Sequence, residues 1–85
     1  MSGLLIRCVM YDLYRYEAPS GERQKHIYQF PTIRAAKMIA RHHEEFYPDS
    51  TALFQIVDAA TGNVLLEGLP NKHWKNTLTG VREPW

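Results

Sequence analysis

The sequence predicts an α+β fold: two β-hairpins flanking one helix (ββαββ), with a four-stranded, mainly antiparallel sheet, the helix on one face, and a short C-terminal helix or tail. Three observations carry this. Residues 33–47 run without Gly or Pro behind Thr32, a residue type that caps helices. Segments rich in Val, Ile, Leu and Tyr lie on both sides of that run. Clusters of Pro, Gly, Ser, Asp and Asn break each flank into two halves.

The first hairpin is expected over residues 4–30. Leu4 to Tyr16 contains Ile6, Val9, Tyr11, Tyr14 and Tyr16 and ends at Glu17-Ala18-Pro19-Ser20-Gly21-Glu22, a run of turn formers. Arg23 to Phe30 alternates, with His26, Tyr28 and Phe30 on one side and Lys25, Ile27 and Gln29 on the other. The helix is expected over 32–47, because the Thr32 side chain can accept a hydrogen bond from the Ala35 amide and Pro48-Asp49 stops the run. At 100° per residue, Ala35, Phe46, Ile39, His43, Ala36, Tyr47, Ala40 and Ile33 fill one half of the helical wheel, which marks the expected core side.

The second hairpin is expected over 51–69, with strands at Thr51–Val57 and Val64–Leu69 and a turn at Asp58–Asn63 in which Gly62 can take positive φ. In the segment 70–85, Asn71 to Leu78 is expected to form a short capped helix with Trp74 and Leu78 one turn apart, followed by an irregular tail. These elements make a single domain of 85 residues.

Apolar residues occupy both parities of the strands. Leu4, Ile6, Cys8, Met10, Phe54, Ile56, Val64 and Leu66 are at even positions; Leu5, Val9, Leu13, Leu53, Val57, Leu65 and Leu69 are at odd ones. A sheet wet on one side should alternate, and one helix of about four turns cannot shield two faces. The second face is therefore expected to be covered by the C-terminal segment with Trp74, Leu78, Val81 and Trp85, by a second copy, or by another protein. This predicts protein-binding residues at Leu5, Val9, Leu13, Trp74 and Trp85.

Charge is sorted along the chain although the net value is only +1. Arg23, Lys25, Arg34, Lys37 and Arg41 lie in a stretch without acids, and Glu44, Glu45, Asp49, Asp58 and Glu67 in a stretch without Lys or Arg. The basic segment 23–43, with Tyr14, Tyr16 and Tyr28 as stacking rings, defines an alternative reading as a nucleic-acid-binding module. A near-neutral balance and the absence of a nucleic-acid motif count against it.

Enzymatic chemistry has little to stand on. His42-His43-Glu44-Glu45 lacks the i, i+4 spacing of helical zinc ligands, the glycines Gly3, Gly21, Gly62, Gly68 and Gly80 are scattered, and Cys8 has no nucleophile motif around it. No catalytic residue, metal site or cofactor is expected. A single cysteine and no leader-like or membrane-spanning apolar run make a cytoplasmic setting the expectation. The layout from about residue 24 to 74 resembles several small phage-encoded proteins, including some anti-CRISPR inhibitors, by shape alone, and no functional residue is carried over. The function read from the sequence is a small non-enzymatic protein-interaction module, bacterial or phage-encoded, that works through an apolar sheet face or the C-terminal aromatics and can form a homodimer.

Overall fold

The β-formers and turn residues resolve, in a computed structural model, into one six-stranded antiparallel sheet and one helix; the structure describes residues 9–16, 23–48, 52–70 and 72–85. The strands are β1 (Tyr11–Tyr16), β2 (Arg23–Phe30), β3 (Leu53–Asp58), β4 (Val64–Leu69), β5 (His73–Asn76) and β6 (Arg82–Pro84), and the helix α1 spans Ile33–Phe46. The order across the sheet is β2-β1-β3-β4-β5-β6. No helix of the described residues is long and apolar enough to cross a membrane.

Two hairpins and the helix appear in the expected order, with β1 starting at Tyr11, later than expected, and β3 running from Leu53 to Asp58. Thr32 has extended φ and ψ, and its hydroxyl accepts from the Ala35 amide at 3.1 Å. The β3–β4 turn is held by Asp58, whose carbonyl accepts from the Gly62 amide at 2.7 Å and whose carboxylate accepts from the Ala60 amide at 2.9 Å. Gly62 has φ 76°, the left-handed conformation that the turn demands. The expected strand start at residues 4–8 lies outside the described residues.

The C-terminal segment differs from the expectation, and the sheet has six strands instead of four. Residues 73–76 are strand β5, paired to β4 with Gly68 opposite Trp74, and 82–84 form the edge strand β6. Asn76 explains why no helix forms: its side-chain oxygen accepts from the Leu78 and Thr79 amides at 2.9 and 3.1 Å, and its backbone closes a loop with Val81 and with Gly80 at φ 76°. Strand pairing also sets Trp74 over Gly68 and buries it completely, whereas one free helical turn would bury far less of the indole. Leu78, the expected helical partner of Trp74, is 80% exposed in the loop.

The core lies between the sheet and α1. Leu13, Phe30, Phe54, Ile56, Leu66 and Trp74 come from the strands, and Ala36 and Ala40 from the helix. α1 packs on β1, β2 and β3, and the far end of the sheet curls back toward it, since Lys37 of α1 reaches Glu83 of β6 at 2.7 Å. Such curling is the accumulated right-handed twist of a wide antiparallel sheet. Trp85 fills the space the curl leaves, stacking on Trp74 at 4.7 Å and 15° and meeting the Phe54 ring at 5.8 Å.

The cover expected for the second face is therefore on the first. Trp74 and Trp85 belong to the helix side, because Phe54, Gly68 and Trp74 stand opposite one another in a single row. The other face carries a polar row, Tyr14, Gln55, Glu67, Lys75 and Arg82, in register across five strands. Half-buried Leu53, Leu65 and Leu69 flank that row, and Asp12 and Val57 are buried opposite each other. The second face is mixed, so the parity count overstated its apolar character: register shifts between β1 and β2 and between β3 and β4 break a simple odd–even rule.

Candidate functional site

Helix α1 presents two different sides. Toward the sheet it buries Ala36, Ala40 and Glu44, with Ile33, Lys37 and His43 at the margins. Small inward residues let the helix axis approach the sheet closely, and the strands supply the bulk through Phe30, Phe54, Ile56 and Trp74. The buried stripe is centred about 60° round the axis from the centre of the apolar half-wheel, at 100° per residue. The expected inward set is thereby split: Phe46 is 77% exposed and Ile39 36%, and both stand on the outward side with exposed His42 and with Met38 at 51%.

These outward residues form a pattern. Ala35, Ile39, His42 and Phe46 follow a 4-3-4 spacing, that of a helix–helix seam, with Met38 beside it; Ala35 is half-buried and packs against the core, and the other four are exposed. Met38, Arg41, His42 and Glu45 line a hollow of about 250 Å³ on this surface. These residues, at i, i+3, i+4 and i+7, flank the stripe on its Arg41 side, about 80° round the axis from its centre. Arg34, Arg41 and Glu45, all exposed, border the stripe.

Around the C-terminal end of α1 lies a polar and aromatic cluster. Arg15 of β1, buried, donates from Nη2 to the Tyr47 carbonyl at 3.1 Å, and its guanidinium carbon lies 5.9 Å from the centre of the Phe54 ring. A cation there satisfies a terminal carbonyl and suits the negative end of the helix dipole. The His43 ring sits between Tyr47, at 5.1 Å, and Phe54, at 6.0 Å. A groove of about 310 Å³ lined by Arg41, Glu44, Glu45, Pro48 and Trp85 opens beside it. His42 points outward while His43 packs inward, so the adjacent histidines do not converge, and no group of three metal-ligating side chains occurs among the described residues.

The structure distributes the residues singled out in the sequence widely. Leu13 and Trp74 are fully buried core residues and form no contact surface in this fold, Trp85 is half-buried against Trp74, Val9 is 48% exposed, and Leu5 lies outside the described residues. Tyr14 and Tyr16 lie on the sheet face away from the helix, whereas Tyr28, opposite Leu13 in the ladder, is 66% exposed on the helix side. Lys37 is paired with Glu83, Arg34 and Arg41 stand exposed on the outer helix, and the side chains of Arg23 and Lys25 lie outside the described set. Met38, Ile39, His42 and Phe46 went unrecognised as a surface feature; the 4-3-4 spacing was the signal that could have found them.

The fold and this surface define a small antiparallel α+β protein with a helix that is apolar on two sides. Comparison with protein-family models, curated proteins and solved structures finds no match to the chain.

Proposed function

We propose that this chain is a non-enzymatic protein-interaction module whose docking surface is the outward stripe of α1. One observation carries the reading: Ile39, His42 and Phe46 are exposed together in seam spacing, with exposed Met38 beside them, on a helix whose core side is built mainly from alanine. Single exposed apolar residues are ordinary on protein surfaces; an ordered stripe rimmed by charges is the form a contact surface takes. With Trp74 buried and Trp85 stacked on it on the core side of the sheet, the exposed helix residues support the reading better than the C-terminal aromatics do.

The nucleic-acid alternative draws less support from the arrangement. Its rings are divided between the two sides of the sheet, Lys37 is engaged by Glu83, and Arg34 and Arg41 share their surface with Met38 and Phe46. An oligonucleotide titration at low salt, where phosphate contacts are strongest, is expected to show no binding.

A photo-crosslinking amino acid placed at His42 in the full chain, expressed in its source cells, tests the docking surface. Discrete adducts are expected at position 42, absent when the same group is placed at Lys75 on the opposite face, and lost with Phe46→Glu. Equal labelling at the two positions would remove the reading.

A further inference from the structure

We infer that the occupant of this stripe is a second copy of the same chain, its α1 packed antiparallel against the first. The inference rests on the docking surface proposed above and names its partner. The stripe is self-complementary under a two-fold axis passing between Ala40 and Arg41. That axis sets small Ala35 opposite large Phe46, and Ile39 opposite His42. Ile39 of one copy then packs against His42 of the other, the relation repeats by symmetry, and the hollow of Met38, Arg41, His42 and Glu45 lies at the flank of the contact.

Charge supports the same arrangement. Arg34, at the N-terminal end of one helix, falls beside Glu45, at the C-terminal end of the other, on the rim of the contact. Antiparallel helices also oppose their dipoles favourably. A parallel pair would instead set Arg34 against Arg34 and Glu45 against Glu45, and Phe46 against Phe46 with Ala35 left facing Ala35.

The area suits a weak dimer. Taking roughly 150 to 200 Å² for the full surface of a large side chain, the exposed parts of Met38, Ile39 and Phe46 come to about 250 to 330 Å² per copy. Exposed His42, Arg34 and Glu45 extend the patch toward the roughly 500 Å² per partner at which a specific interface begins. An interface of that size makes a concentration-dependent dimer, with two sheets outermost and two helices between them.

Sedimentation equilibrium of the full chain over a wide concentration range tests the assembly. A rise from 9.9 kDa toward twice that mass is expected. Phe46→Glu, at a position exposed enough to leave the fold intact by circular dichroism, should weaken the dimer by at least about 100-fold. Arg34→Glu and Glu45→Arg should each weaken it, and the two together should restore it. In a Cys8→Ser background, chains carrying Ile39→Cys and His42→Cys should form a mixed disulfide faster than either forms its own.

A chain that stays monomeric at every concentration overturns the inference, as does a dimer indifferent to Phe46→Glu or one that favours the Ile39→Cys homodisulfide. The two proposals fail separately. Adducts at position 42 whose mass is not that of two copies, from a chain that is monomeric in the centrifuge, leave the docking surface standing and remove only the self-pairing.

Discussion

Gly68→Ala sets two effects of opposite sign against each other at one atom. A Cβ on Gly68 would lie 2.5 Å from both Cε3 and Cζ3 of Trp74 and 2.7 Å from Cζ3 of Trp85, where unstrained carbon contacts begin near 3.5 Å. The indole pair must therefore shift by about 1 Å. It has little freedom to do so, because Trp74 is fully buried and Trp85 is stacked on it and packed against Phe54. Loss of glycine's backbone freedom favours the alanine variant by about 0.5 to 1 kcal/mol, while overpacking beside rigid rings costs about 1 to 3 kcal/mol. The expected balance is a destabilisation of about 1 to 2 kcal/mol and a fall in Tm of roughly 5 to 15 °C. Urea unfolding followed by tryptophan fluorescence reads it, since the two tryptophans of the chain are these two, and the far-UV exciton signal of the stacked indoles should weaken in parallel. A variant at least as stable as the parent, with that signal intact, would show that Gly68 is not the floor on which the tryptophans lie.

Other substitutions probe the helix and its attachments. Thr32→Ala removes the hydroxyl that accepts from the Ala35 amide and should cost about 1 kcal/mol in urea unfolding, with Thr32→Ser retaining most of it. Arg15→Leu removes a charged donor to the Tyr47 carbonyl and should cost about 1.5 to 3 kcal/mol, with faster amide exchange in the last turn of α1. Glu83→Gln breaks the pair with Lys37, whose side chains are 23% and 46% exposed; solvent screening limits the loss to below about 1 kcal/mol, smaller still at high salt.

What could be read from the sequence followed local chemistry. Thr32, Pro48 and the Asp58–Asn63 turn act within a few residues of themselves, so the helix and the second hairpin were legible. The C-terminal strands were not, because Trp74 suits a short helix or a strand equally until β4 offers Gly68 as the surface it lies on. That partnership is tertiary and overrides propensity. The helix wheel gave the right element and a misplaced centre: hydrophobicity alone puts Phe46 and Ile39 inside, whereas against a sheet already filled with Phe30, Phe54 and Trp74 the helix buries Ala36, Ala40 and Glu44. The same error hid the outward stripe, since Ile39 and Phe46, assigned to the core side, were not considered for the surface with Met38 and His42.

Rigidity links the buried cluster to the outward stripe. Thr32 holds the first turn of α1, Lys37 is tied to β6 through Glu83, and Arg15 holds the carbonyl of Tyr47, next to Phe46. Phe46 is the largest exposed apolar residue of the stripe and occupies the last residue of the helix, where ends fray unless their carbonyls are satisfied. A contact surface fixed before binding loses less entropy on association. Arg15, which has no place in the contact, should therefore affect it: Arg15→Leu is expected to weaken self-association several-fold by loosening the turn that carries Phe46. Glu83→Gln, which acts away from that turn, should leave the association constant nearly unchanged. Sedimentation of both variants below their unfolding temperatures separates the effects, and equal dimer strength in Arg15→Leu and the parent would mean that Phe46 is held by the contact itself and not by the strand beneath it.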